Sequence, residues 1–447
     1  MNNLRKRFCA TQFYETLNFK DELAAGRCYI LLAGILTTVI INLTSGVFLT
    51  GFLLASGLNS VEIGALGCIP FLTALFNLLS PFALGRYERR KKAICFSRLI
   101  YYFIGVFLMT FVPWVFHNRL VVLVMIALCM IVSNSVNALY STGLFAWHVN
   151  FLPEKVRASY FTYQQVLNGI VSAMALVSSG WISDKMQNSG NSVMFFTGLR
   201  IVTFFICIVE VWLYYRPREF AVEKESGKTA LLAIGTVFRD QREYSAVLIV
   251  VFFWNVTLYL PATATDIHVL QIVQVPYTLV TALNASIAVF LVLFAPFWKK
   301  CIQKCGWLKT FALATILYVP CCFAVGFVTK SNYRWLYTAA RCAQQACYVG
   351  IVITYSNFPY LALRKENQTA CSSAFSLINN LGSLTGQMLG TILLSYIVRF
   401  PIYLFGEFRE TILPFVAIQG LGLCFLSVYS VWLHKYLDIH LPGYSSK

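Results

Sequence analysis

The sequence predicts an all-α polytopic membrane protein: twelve transmembrane helices arranged as two pseudo-symmetric six-helix halves. Three observations predict it. The chain of 447 residues is 58% hydrophobic and only 12% charged, too few charges to clothe a soluble protein of this size. Apolar runs of about 20 residues recur from end to end, long enough to cross a bilayer as helices. They show none of the short alternating strands of a membrane barrel. Finally, the stretch Pro81-Phe-Ala-Leu-Gly-Arg-Tyr-Glu-Arg-Arg-Lys-Lys92 packs five cations between two apolar runs. A shorter version, Pro296-Phe-Trp-Lys-Lys300 followed by Lys304 and Lys309, recurs at the matching place in the second half. A repeat of this kind signals internal duplication.

The elements follow in order. Residues 1–27 are polar and of mixed charge, with neither the apolar core nor the cleavage site of a signal peptide, and read as a cytoplasmic segment. Six spans are expected near 28–54, 61–84, 96–116, 120–146, 160–183 and 192–215, forming an N-terminal bundle over 28–215. A central cytoplasmic loop covers 216–244 and carries Arg216, Arg218, Lys224, Lys228, Arg239 and Arg242. Six more spans are expected near 245–268, 275–297, 307–328, 333–360, 370–398 and 410–433, in a C-terminal bundle over 245–435, with a cytoplasmic tail over 436–447.

The cations test this count. With a cytoplasmic amino terminus, 27 lysines and arginines fall on the inner side, Arg98 among them, and six on the outer side. That is the asymmetry that orients membrane helices, and one miscounted span would scramble it. Both termini are therefore expected in the cytoplasm, in a multi-pass protein of the cell's plasma membrane. The net charge of +17 belongs to these loops and does not call for nucleic acid as a partner. The fourteen cysteines are scattered, mostly within apolar runs, where they act as small hydrophobes. No metal site and no cofactor are expected.

With its twelve spans, six-plus-six division, central loop and basic loop after span two, the chain resembles the major facilitator superfamily of secondary transporters. The loop motif of that family reads approximately Gly-x-x-x-Asp-Arg-x-Gly-Arg-Arg. Here Arg86, Arg89 and Arg90 match its cations, while Pro81, Gly85 and Glu88 stand at the first glycine, the aspartate and the second glycine. Leu152-Pro-Glu-Lys-Val-Arg157-Ala-Ser-Tyr-Phe161, between spans four and five, is similar to a second stretch found in many bacterial members. Arg86, Arg89, Arg90 and Arg157 are thus the candidate loop and gating residues. The resemblance implies that spans one, four, seven and ten line a central cavity, and that the two halves rock about it.

Polar side chains inside the hydrocarbon limit where a substrate can sit, because each costs free energy unless it finds a partner or water. All four of those spans carry a polar stripe. Span one holds Asn42 and Ser45; span four holds Asn134, Asn137, Ser141 and His148; span seven holds Asn255, Tyr259, Thr263 and Asp266; span ten holds Arg341, Gln345, Tyr348 and Tyr355. Steps of three, four and seven keep each set on one helical face. The substrate-contact candidates are Asn42, Asn134, Asn137, Asn255, Tyr259, Arg341, Gln345 and Tyr348; stripes of asparagine and tyrosine also serve as interhelical glue. Arg341 lies about 12 Å into its span at the helical rise. It suits an ion pair with Asp266, the carboxylate or phosphate of a substrate, or snorkelling to the interface. Asp266 and His148 are the candidates for a coupling proton or sodium ion. Arg200 and Glu210 sit in span six, with Glu210 expected to reach the inner surface. Gly382, Gly386 and Gly390 form a small-residue ridge suited to sliding contact between the halves, or to core packing alone.

The leading function is therefore secondary transport of a small polar or organic solute by alternating access, by a monomer and without enzymatic activity. A multidrug–proton antiporter is the alternative, set back by the absence of an arginine in span four and of a Gly-Pro pair in span five. A membrane-embedded lipid-modifying enzyme would need a catalytic constellation. The five dispersed histidines form no HxxxH or HExxH pattern, and no phosphate-binding loop is present. A non-transporting sensor is the remaining alternative.

Overall fold

The computed structural model describes residues 21–84, 87, 89–149, 151, 154–188, 192–219, 235, 237–239, 241–360, 368–399 and 412–440. Every regular element among them is a helix. All twelve expected spans contain helix, and several are interrupted. Span one is Glu22–Thr44 followed by Gly46–Ala55. Asp21 caps its start by accepting from the Ala24 amide at 3.1 Å. The break falls at Ser45, in extended conformation, and at Gly46, whose φ of +54° suits a residue without a Cβ. Span two begins at Asn59, which shares a capping box with Glu62, each side chain meeting the other's amide at 2.8 Å. Glu62 is thus a helix-capping acid at the membrane edge.

Span three runs Lys91–Tyr102, Phe103–Leu108 and Met109–Val115, with the middle piece in π-helical form. Spans four to six are Arg119–Val149, Glu154–Asn188 and Ser192–Tyr215. Span seven is Arg242–Tyr259, then Ala262–Ile267, then a π-turn to Ile272. Pro261 sits at its break, since it lacks the N–H that the Thr257 carbonyl would otherwise receive. Spans eight and nine are Tyr277–Ala285 with Ile287–Cys305, and Trp307–Gly326. Spans ten to twelve are Tyr333–Tyr355, Gln368–Arg399 and Ile412–His440. Among the described residues, 11 helical segments are long and apolar enough to cross a membrane. Tyr333–Tyr355 is not one of them. It has the length, but Arg341, Gln344 and Gln345 lower its mean hydropathy.

The contacts divide the chain into two compact units, one of residues 1–57 and 76–227, the other of 58–75 and 228–447. In the first, Ile30, Leu31, Leu84, Ile94, Trp147 and Phe151 share a core. In the second, Val247, Val250, Trp254, Phe311, Leu423 and Leu426 do. Large apolar side chains also point outward. Leu120 is 68% exposed, Met174 67%, Val292 76% and Val428 72%, as helices bathed in lipid require.

Two findings revise the sequence reading. The glycine ridge of span eleven faces span seven within the second unit, rather than a surface between halves. A Cβ added at Gly382 or Gly386 would stand 2.6 Å from the carbonyl oxygen of Phe252 or Val256, and one at Gly390 closer still to that of Leu260. The ridge lets two backbones touch. The start of span two, placed by the sequence in the N-terminal bundle, groups with the second unit. There Gln387 of span eleven donates to the Gly64 carbonyl at 3.2 Å and to Thr263 Oγ1 at 2.7 Å. A Cβ at Gly67 would fall 2.7 Å from the same amide nitrogen.

Candidate functional site

The first unit holds a buried charged cluster. Arg98 and Tyr102 stand one turn apart on span three, and Glu210 and Tyr214 one turn apart on span six. Arg98 pairs with Glu210, which has no exposure to solvent, and its Nε donates to the second carboxylate oxygen at 3.2 Å. Its Nη2 also donates to Tyr102 Oη at 2.7 Å and to Thr37 Oγ1 at 3.3 Å. Thr37 and Tyr102 in turn donate to the carboxylate at 2.6 Å and 3.1 Å. The guanidinium lies over the rings of Tyr102 and Tyr214. Four spans meet here, because the His148 ring of span four stacks on Tyr214 with centroids 5.2 Å apart.

This corrects two expectations. Arg98, counted as an inner-surface cation, is in a buried ion pair, and Glu210 does not reach the surface. The charge asymmetry survives without Arg98. The cluster was visible in outline as an Arg and a Glu near the inner ends of two spans, each followed four residues later by tyrosine.

Arg200, also in the first unit, is closed by neutral groups. It donates to Thr110 Oγ1 at 2.9 Å and to the Gly105 carbonyl at 2.7 Å, and lies over the Phe52 ring. Gly105 is in the π-helical piece of span three, where a carbonyl is released from the regular ladder. Of the other candidates in this unit, Asn42 donates to Ser172 of span five. Asn134 donates to its own helix at the Met130 carbonyl, 2.8 Å away. Asn137 is half-buried one turn further on.

The second unit holds Arg341. Its Nη1 donates to Gln344 Oε1 at 2.8 Å and its Nη2 to Asn284 Oδ1 at 2.6 Å. Both partners are amides, so the pairing with Asp266 that the sequence suggested is not how the guanidinium is held. Its Nε is buried and donates to nothing, a cost of about 1–3 kcal/mol unless a ligand meets it. Gln345, buried beside it, donates to the Leu283 carbonyl at 3.1 Å, and Gln344 Nε2 reaches Cys322 Sγ at 3.7 Å. The Tyr348 ring lies 6.5 Å from that of Tyr318. Asn284, a lone amide in the apolar run of span eight, was not among the candidates. Its only signal was that isolation.

Asn255 is instead committed to helix packing. Its amide donates to the Val251 carbonyl and to Tyr355 Oη, each at 2.8 Å, and to Asn379 Oδ1 at 3.1 Å. Tyr355 donates to the same Asn379 oxygen at 2.6 Å, and Ser383 to Asn255 Oδ1 at 3.2 Å. Spans seven, ten and eleven are thereby joined. Tyr259 packs edge-on against Phe71, centroids 4.6 Å apart. Asp266 is half-buried in the short helix after Pro261.

Among the loop candidates, Arg86 lies outside the described residues, as does the side chain of Arg157. Arg89 is exposed, and Arg90 Nε donates to the Tyr87 carbonyl at 3.2 Å. Lys91 makes the longer connection: its amide donates to Glu219 at 2.7 Å and its Nζ to the Pro217 carbonyl at 2.9 Å. Trp147 donates to the next carbonyl, that of Arg218, at 3.2 Å. These bonds fasten the start of the central segment to spans three and four. No cluster of three or more metal-binding side chains occurs among the described residues.

No protein-family model matches the sequence, and no curated protein matches it. Solved structures do. The nucleoside transporter NupG aligns over 92% of this chain and 98% of its own, with a TM-score of 0.66 at 11% identity. A D-xylose-proton symporter aligns over 92% and 97%, with a TM-score of 0.65 at 11% identity. A bacterial homologue of the human lysosomal transporter Spinster aligns over 96% and 97%, with a TM-score of 0.56 at 15% identity. The chain has the fold of these transporters, which is the major facilitator fold expected from the sequence.

Proposed function

We propose that this chain is a secondary transporter that moves a small solute bearing an anionic group across the membrane by alternating access. The observation that carries the reading is Arg341. A membrane span tolerates a guanidinium when it serves structure or a pathway. Arg98 shows one structural solution in this molecule, a carboxylate, and Arg200 another, two neutral oxygens and an aromatic ring that close it. Arg341 is held by two amides that orient it without neutralising it, with Nε left open. That arrangement suits a carboxylate or phosphate that arrives and leaves. Gln345 and Tyr348, on the same helix face, would supply the neutral contacts. The matching proteins carry transport in their names, and the shared fold supports the same class of activity here.

Asp266, half-buried beyond the Pro261 break, is where a coupling proton would bind, with His148 as the second candidate; sodium coupling and uncoupled uniport are the alternatives. Both termini are assigned to the cytoplasm from the lysine and arginine partition. The test is uptake of labelled carboxylates, phosphates, sugars and nucleosides into liposomes holding the pure protein, with imposed proton or sodium gradients. Accumulation of an anionic solute supports the proposal. Accumulation of no solute under any gradient contradicts it.

A further inference from the structure

We infer that the basic cleft at the span eight–nine turn binds the phosphate-bearing headgroup of an anionic lipid. The cleft, of about 1150 Å³, is formed within the second unit by spans eight, nine, ten and twelve. Three lysines line it, Lys299, Lys304 and Lys309, together with His434 and Asp438. Asp438 is 3.5 Å from His434 Nε2, so the lysines outnumber the one carboxylate.

Gly306 makes the turn, with φ of +81°. It ends the helix Ile287–Cys305 and also stands at the N-cap of Trp307–Gly326, where no side chain caps the helix. The first amides of a 20-residue helix therefore lack a side-chain acceptor where the lysines gather. Open amides and the positive helix end favour an anion. A Cβ at Gly306 would come 3.1 Å from the His434 ring, so the turn is packed on the cleft wall.

The other walls identify the ligand as an amphiphile. Val292, Ala295, Pro296 and Ile353 line the rest of the cleft, the first three preceding Lys299 on span eight. Val292 belongs to an outward apolar face of span eight, with Val289 59%, Leu293 64% and Phe297 53% exposed. That face is where acyl chains lie. A phosphate at the lysines with a chain along Val292 fills both parts, and basic pockets between membrane helices bind phosphorylated headgroups. A free phosphate would use only the polar part.

The test is titration of the pure protein in neutral detergent with phosphatidate, phosphatidylglycerol, phosphatidylcholine or inorganic phosphate. Retained lipid is read by native mass spectrometry and thermal stability alongside. We expect phosphatidate and phosphatidylglycerol to be retained and stabilising, and phosphatidylcholine and inorganic phosphate to have little effect. Lys299→Gln/Lys304→Gln/Lys309→Gln should weaken retention by about tenfold or more, since each surface cation contributes to anionic-lipid binding. Lys304→Gln alone should weaken it less, and Lys330→Gln, at the far end of span nine, not at all. Equal retention of phosphatidylcholine, full stabilisation by inorganic phosphate alone, or unchanged retention by the triple variant would each overturn the proposal.

Discussion

Two membrane-embedded arginines, Arg98 in the first unit and Arg341 in the second, are held in opposite ways. In the first, Arg98 is surrounded by a carboxylate, a threonine and two tyrosines, and Glu210 is fully buried. In the second, Arg341 meets two amide oxygens and keeps a buried Nε without an acceptor. The same side chain thus serves as a strut in one place and as an open donor in the other. The difference lies in the partner's charge: a carboxylate neutralises the guanidinium, whereas an amide only positions it. The comparison predicts that damage to the first site appears as lost stability and damage to the second as lost transport.

The largest effect should come from Glu210→Ala, which strands a buried guanidinium and should cost about 3–5 kcal/mol. Denaturation in mild detergent measures it. Arg98→Met/Glu210→Leu should recover much of the loss, as paired apolar replacements often do. A stable Glu210→Ala with altered transport would break the comparison, because the first site would then be functional. Next is Arg341→Gln, which should lower uptake roughly ten- to a hundredfold, the range for a lost hydrogen bond to a charge, with the folded yield kept.

Gly386→Leu tests packing in the second unit away from Arg341. Crowding the Val256 backbone should cost about 1–3 kcal/mol, read as a lower melting temperature. Asn255→Ala should cost about 1–2 kcal/mol, because Tyr355 and Ser383 lose a partner. The smallest effect is expected from Arg89→Ala, an exposed position, within about 0.5 kcal/mol. A larger fall in transport than in stability for Arg89→Ala would revive a gating role for that loop.

The fold was legible because twelve apolar runs and one-sided basic loops leave few ways to thread a bilayer. The candidate site was half legible. Arg341 stood out as a charge deep in a span, and its neighbours Gln345 and Tyr348 follow from helical spacing. Asn284 did not, because its role depends on how span eight packs against span ten, which no local pattern encodes. The same holds for Glu210: its position near a span end resembled an interfacial acid until its partner on span three was known. Asn255 carried the same stripe signal as Arg341 and proved to be packing. Polar periodicity finds the face of a helix but not what that face meets.

The most direct test of the central claim pairs charge on the solute with charge on the protein. Uptake of an anionic substrate should be compared with that of its neutral amide, in the wild-type chain and in Arg341→Gln. The account predicts that the wild type prefers the anion by roughly ten- to a hundredfold and that Arg341→Gln loses most of this preference while retaining its fold. An anion preference of the same size in both proteins would contradict it.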